Sequence, residues 1–153
     1  MKNLSRFFVG AASLVLLTAC GPSKVSYAKF HEQAVAAVEK APEYKKVTCK
    51  GEVTASSISM KLDVVFEKKD SGWEKTKGDD LQATVAASLI LITADTVEED
   101  DKTTYYAGNG FKAVHKEDNN NSTATWNSYG YLTSLKSDGG DMGKVDIKLT
   151  WSK

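Results

Sequence analysis

The chain has 153 residues, of which 41% are hydrophobic and 26% charged, a composition typical of one globular domain. It carries 20 basic and 20 acidic residues, and this balance excludes the basic surface that nucleic-acid-binding proteins need. We therefore expect a single domain without a nucleic-acid partner.

Residues 1–19 are organised like a bacterial secretion signal. Lys2 and Arg6 supply a short positive region, and the apolar stretch at residues 7–17 falls within the about 7 to 15 residues usual for the centre of a signal. A membrane-spanning helix needs about 20 apolar residues. The segment is therefore predicted to be a signal peptide rather than a transmembrane helix.

The signal ends in Leu17-Thr18-Ala19-Cys20, which resembles the lipobox of bacterial lipoproteins. The resemblance implies cleavage between Ala19 and Cys20, a diacylglyceryl group on the Cys20 thiol and an acyl chain such as palmitate on the new amine. Two or three chains hold a protein stably at a membrane, so a lipid anchor on the extracytoplasmic face is implied. The alternative is a plain secretory signal with an incidental cysteine.

The residue after the cysteine is Gly21 rather than Asp. In a cell with two membranes this residue favours the outer membrane, and in a cell with one membrane the protein would face outward. Residues 20–24 are predicted to form a lipidated tether, and residues 25–153 a single domain.

The first predicted element of the domain is an amphipathic helix from Val25 to just before Pro42. Apolar residues recur there at spacings near three and four among Lys, Glu and Gln, which is typical of a helix with one buried face. Ser26 is placed to cap the start of this helix.

Two strand patterns follow, at residues 47–54 and 58–67, where apolar and polar residues alternate. The small residues 55–57 between them predict a hairpin. Asp70-Ser71-Gly72 is a turn signal, and a short third strand is expected from Trp73.

A second helix is predicted from Asp79 to about Thr96, with Asp79 or Asp80 as its N-cap. Its apolar face is expected to consist of Leu81, Val85, Leu89 and Ile92. Residues 89–92 are apolar enough that a buried strand remains an alternative for them. A charged connector at residues 98–101 ends this half of the chain.

The second half of the chain predicts strands throughout. Residues 105–108 and 111–114 flank Asn109-Gly110, a strong hairpin signal because both turn positions favour positive φ. Further strands are predicted at residues 123–126, 129–136 and 144–151. The last strand alternates, and its inward side is expected to carry Val145, Ile147, Leu149 and Trp151.

These elements predict an α+β domain in which an antiparallel, curled sheet of about seven strands packs on one or two helices. The order of anchor, helix and twisted sheet resembles the half-barrel fold of the LolA, LolB and mycobacterial LppX group. That resemblance implies a carrier of lipids or lipoproteins, and it assigns no role to individual residues.

The residues with reactive side chains show no catalytic or metal-binding pattern. Cys49 lies on the apolar side of its strand, which favours a buried thiol. His31 and His115 have no carboxylates at ligand spacing. The acidic residues at 98–101 and 138–141 favour solvated turns over a calcium site, since an EF-hand alternation is missing. We therefore predict a non-enzymatic domain without cofactor or metal.

The aromatic residues concentrate in the strand-rich part, for example at 126–132. Most are expected to fill the core, but some could line a concave sheet face open to an apolar ligand. The residues predicted to line such a cavity are Met60, Leu62, Phe66, Trp126 and Leu149. The alternative function is a protein-interaction or envelope-structural module that uses a sheet edge or an aromatic patch.

The lipobox gives the first testable prediction. Replacement Cys20→Ser removes the thiol that would carry the diacylglyceryl group, so metabolic labelling with radioactive palmitate should fall to background. The unprocessed precursor should accumulate or the protein should leave the membrane fraction. The matched control is Cys49→Ser, which should label normally. Undiminished labelling of Cys20→Ser would refute the anchor.

Overall fold

The computed structural model describes residues 21–153, so the signal segment and Cys20 lie outside the described residues. This part contains two α-helices, α1 (Tyr27–Glu39) and α2 (Asp80–Ile90), and two 3-10 helices, Ala94–Thr96 and Gly140–Met142. Its nine strands are β1 (Ser23–Val25), β2 (Lys46–Ala55), β3 (Ile58–Lys69), β4 (Gly72–Lys77), β5 (Thr103–Gly108), β6 (Gly110–Glu117), β7 (Asn120–Trp126), β8 (Leu132–Asp138) and β9 (Lys144–Ser152).

The strands form one antiparallel sheet in the order β1-β5-β6-β7-β8-β9-β2-β3-β4. Hairpins account for most of these pairings, and the long-range pairing of β2 with β9 joins the two halves of the chain. β1 and β4 form the edges, so the sheet is open rather than closed. One bulge lies in β4, opposite Val65 and Phe66, and another lies in β8, opposite Thr125 and Trp126. These bulges bend their strands, as bulges do in curled sheets. The predicted α+β class is confirmed, with somewhat more strands than expected.

The concave face of the sheet carries the core. Alternate residues of β2, β3 and β9 point inward, as the period of two requires. The buried strand residues include Val47, Cys49, Leu62, Val64, Phe66, Tyr105, Ala107, Phe111, Ala113, Trp126, Leu132, Ile147 and Leu149. Val145 and Trp151 pack against this core while partly exposed, so the predicted inward side of the last strand is confirmed.

Helix α1 covers one part of this face. The Ser26 hydroxyl accepts a hydrogen bond from the backbone N–H of Lys29, which confirms the predicted cap. The helix ends before Pro42, as expected. Phe30 and Ala34, one helical turn apart, are fully buried against the sheet.

Helix α2 begins as predicted but ends earlier. The Asp79 carboxylate accepts a hydrogen bond of 2.8 Å from the backbone N–H of Gln82, so Asp79 is the N-cap. The helix stops at Ile90, which places the ambiguous residues 89 and 90 in a helix rather than a strand. The prediction that Leu81 lies on the buried face of this helix is wrong, because Leu81 is 65% exposed. The buried side consists of Ala86, Leu89 and Ile90.

The structure corrects two local predictions in turns. The hairpin at Asn109 forms, but Asn109 does not have positive φ, so the turn is not of the predicted two-residue type. The strand expected from Tyr129 begins only at Leu132. Asn127 explains this delay, because its side-chain oxygen accepts hydrogen bonds from the N–H groups of Tyr129 and Tyr131 and thereby holds a turn.

The predicted tether also becomes partly a strand. Ser23 pairs with Ala107 and Lys24 with Tyr106, so β1 adds an edge strand to β5. The sequence pattern missed this element because three residues are too few to show an alternation. Only Gly21 and Pro22 then separate Cys20 from the sheet.

The burial of Phe30 gives a second prediction. Replacement Phe30→Ala should lower the free energy of unfolding by about 3–5 kcal/mol, because it removes a large ring and leaves a cavity. Urea denaturation of the domain checks this value. The control Val35→Ala, on the same helix but 36% exposed, should cost far less. Similar losses for both variants would contradict the packing described.

Candidate functional site

A groove of about 360 Å³ lies between α1 and the sheet edge formed by β1, β5 and β6. We call the boundary between α1 and this sheet edge the seam. The apolar lining of the groove comes from both the helix and the sheet, and its polar lining comes mainly from α1. The lining residues are Val25, Lys29, Gln33, Ala36, Ala37, Lys40, Ala107, Gly108, Phe111 and Ser128. A volume of this size falls at the lower end of the range of ligand pockets.

The helical wall of the groove is a single stripe of α1. Lys29, Gln33, Ala36 and Lys40 follow one another at spacings of four, three and four residues, which places them on one side of a helix. The small side chain of Ala36 leaves room between the longer ones. The stripe spans about 16 Å along the helix axis, from the rise per residue.

The floor of the groove consists of sheet residues. Ala107 and Phe111 are cross-strand partners in β5 and β6, and both are almost fully buried. Phe111 packs edge-on against Phe30 below the groove, with ring centroids 5.6 Å apart. The floor therefore belongs to the core and gives the groove a rigid base.

The groove lies close to the start of the described chain. Val25 lines it directly, and Ser23 pairs with the floor residue Ala107. Cys20 precedes Ser23 by three residues, a distance of at most about 10 Å in an extended chain. A lipid carried by Cys20 would therefore be attached next to this groove.

The structure places the five residues predicted to line a cavity elsewhere. Leu62, Phe66, Trp126 and Leu149 belong to the core with at most 5% of their surface exposed, and Met60 packs against it. None of the five is among the residues that line the groove. Their role as ligand contacts stays a prediction, since it would require the core to open.

The aromatic side chains form two clusters. One surrounds Phe30, whose ring lies 5.2 Å from that of Tyr105 and 6.1 Å from that of Trp126 between centroids. The other surrounds Trp151, whose ring centroid lies 4.9 Å from that of Tyr131 and 5.8 Å from that of Trp73. The indole N–H groups of Trp126 and Trp151 donate to backbone carbonyls, as buried tryptophans usually require. These rings mainly build the core.

A second cluster of functional groups surrounds His115 on β6. Its Nδ1 atom lies 2.7 Å from the Asp100 carboxylate, which also accepts a 2.6 Å hydrogen bond from the Thr103 hydroxyl. The Thr103 bond and then the His115 bond lower the pKa of Asp100 to about 2. The cluster ties the charged connector to the sheet, since Asp100 precedes β5 while His115 lies on β6.

The Thr103 hydroxyl lies 3.1 Å from the Nδ1 atom of His115, but it donates its hydrogen bond to Asp100. Ser122 faces His115 across the β6–β7 pair, but the contact described for the Nε2 atom of His115 is the Glu117 carboxylate at 3.8 Å. A relay would need that nitrogen to accept a proton from a hydroxyl. The cluster is therefore an ion-pair and hydrogen-bond network.

Cys49 and Asp138, two further residues with reactive side chains, are buried or already paired. Cys49 is buried, and this burial raises the pKa of its thiol to about 11, which makes it a poor nucleophile. Asp138 accepts a hydrogen bond from the N–H of Gly140 and pairs with Lys144. Within residues 21–153, no group of three His, Cys, Asp or Glu side chains is arranged to hold a metal ion.

Comparison of the chain with protein-family models, with curated proteins and with solved structures gave no match. The resemblances to lipoproteins and to the half-barrel group thus stay expectations from the sequence. In the described part of the chain, neither α-helix is long and apolar enough to cross a membrane.

Sequence reasoning missed the groove because its two walls come from distant parts of the chain. In the sequence, the residues of the α1 stripe are recognisable only as the exposed side of an amphipathic helix. The pattern of that side does not indicate which strands of the sheet pack beside it. The hairpin at Gly108 was predicted, but its position beside α1 depends on the whole sheet order.

The Asp100 network gives a third prediction. The folded protein holds the pKa of Asp100 at about 2, below its ordinary value of 3.8. The carboxylate therefore contributes stability that is present above about pH 4 and is lost as the pH falls toward 2. Replacement Asp100→Asn should destabilise the domain at pH 5 and progressively less at lower pH.

Urea denaturation of both proteins between pH 5 and pH 2 measures this difference. The control Asp118→Asn, in the exposed turn between β6 and β7, should leave the pH profile of the wild-type chain unchanged. A stability difference for Asp100→Asn that does not change with pH would contradict the network.

Proposed function

We propose that this protein is a non-enzymatic lipoprotein, anchored through Cys20 on the extracytoplasmic face of the cell membrane, that binds a lipid or another apolar ligand in the groove beside α1. In a cell with two membranes, Gly21 favours the outer one. The observation that carries the binding proposal is the groove itself, since it joins an apolar floor to a polar rim.

The chemistry of the lining supports an amphiphilic ligand. Val25 and Ala37 offer carbon surface to an apolar chain above the nearly closed floor of Ala107 and Phe111, while Gln33 and Ser128 offer groups that form hydrogen bonds. Burial of each methylene of a ligand chain contributes about 0.8 kcal/mol. A ligand chain that lies along the groove, parallel to the helix, would bury several methylene groups in this way.

The position of the anchor supports the same proposal. A lipidated Cys20 would hold the groove at the membrane surface, within a few residues of the sheet. A ligand could then pass between bilayer and groove without crossing much water, where its exposed apolar surface is costly. The short connection through Gly21 and Pro22 would thus keep the groove close to the membrane.

A second candidate function is protein interaction through an exposed apolar patch, which we define as Leu91, Ile92 and Tyr129. These side chains are 69%, 36% and 37% exposed. The two segments that carry them lie side by side, because Trp126 donates to the Ile92 carbonyl and Thr93 pairs with Tyr131. Exposed apolar patches commonly mark interaction sites.

Filling the groove tests the first function. Replacement Ala36→Trp places an indole in the groove, so binding of a neutral apolar dye, N-phenyl-1-naphthylamine, should weaken about tenfold or more from lost contact area. Dye fluorescence titrated against residues 21–153, which contain the described core, measures the affinity. Ala28→Trp is the matched control, because Ala28 is exposed on α1 but does not line the groove.

Equal weakening by both tryptophans would contradict binding in the groove. An unmodified domain that shows no saturable dye binding would contradict the proposal as a whole. That result would favour the second candidate, in which replacement of Leu91 or Tyr129 by Ser matters and Ala36 does not.

A further inference from the structure

We infer that the ligand of the groove is an anionic single-chain amphiphile, such as a fatty acid or a lysolipid with a negative headgroup, whose charge is bound by Lys29 at one end of the groove or by Lys40 at the other. This inference rests on the proposed function and adds the chemical class of the ligand. It follows from the distribution of charge around the groove.

The two lysines stand at opposite ends of the groove. Lys29 is in the first turn of α1 and Lys40 is its C-cap residue, and both line the groove from the same stripe of the helix. Between them lie only uncharged side chains, including Gln33 and Ala36. The ends of the groove are therefore positive and its middle is uncharged.

No carboxylate is among the residues that line the groove. The acidic residues on the helix, Glu32 and Glu39, lie outside this lining, and Glu32 borders an adjoining depression that shares Lys29, Gln33 and Ala36 with the groove. Within residues 21–153, no salt bridge joins Lys29 or Lys40 to an acidic side chain. Their ammonium groups are therefore available to a ligand.

The volume of the groove, about 360 Å³, suits one short chain better than two. Its walls are a single helix and one sheet edge, and its floor is formed by Ala107, Gly108 and Phe111. The Ser128 hydroxyl adds a hydrogen-bonding group to the lining that carries Lys40. Long lysine stems cover apolar surface while their charged ends reach a headgroup at the rim.

A charge-deletion experiment tests the ligand class. The probes are dodecanoate and 1-dodecanol, which share a chain and differ in headgroup charge, titrated into residues 21–153 at pH 8 by displacement of the neutral dye. Dodecanoate should bind more tightly than dodecanol. The double variant Lys29→Gln/Lys40→Gln should weaken dodecanoate about twofold to fivefold, because the carboxylate loses its one exposed ion pair at either end of the groove, and leave dodecanol unchanged.

The matched control is Lys46→Gln/Lys153→Gln, which removes the same net charge from residues outside the groove lining. It should leave the preference for dodecanoate intact. High salt should reduce the preference in the unmodified chain, because screening weakens exposed charge pairs.

The outcomes separate the ligand class from the binding function. Equal affinity for the two probes, with dye binding still sensitive to Ala36→Trp, would overturn the anionic ligand and preserve the groove as a binding site. A loss of dodecanoate binding of equal size in both double variants would overturn the assignment to Lys29 and Lys40. Failure of the dye and of both probes to bind would overturn the proposed function together with this inference.

Discussion

The packing of α1 on the concave face of the sheet is the interaction on which the rest of the structure depends. An open, curled sheet exposes one apolar face, and this face must be covered for the domain to fold. Phe30 covers it where three strands meet, because its ring contacts Tyr105 of β5, Phe111 of β6 and Trp126 of β7. The groove is the seam that remains where α1 passes the edge of the sheet.

The same arrangement fixes the surroundings of the edge strand β1. β1 pairs with β5, and the helix follows after a single residue, Ser26. Residues 23–25 are thereby held at the seam rather than at the distant edge strand β4. That edge carries Lys75 and Lys77, and charged residues of this kind discourage edge-to-edge pairing. The two edges therefore differ in their surroundings, one beside a groove and one protected by charge.

Polar groups form a hydrogen-bonded network at the end of β5 and β6 that lies away from the Gly108 hairpin. His115, Asp100 and Thr103 join the connector before β5 to the sheet, and the free ring nitrogen of His115 faces a carboxylate. Cys49 is similarly withdrawn from reaction by burial.

The sequence alone determined the helices, most strands and their capping residues, because Ser26 and Asp79 act through local hydrogen bonds and the strand alternations repeat often enough to be seen. It also contains Leu17-Thr18-Ala19-Cys20, whose resemblance to a lipobox is visible in the local sequence alone. Only the tertiary structure decided that residues 23–25 form a strand, that Leu81 is exposed, and that α1 lies beside the Gly108 hairpin. Those features depend on pairings and contacts between distant residues, and a local pattern holds no information about which surfaces meet.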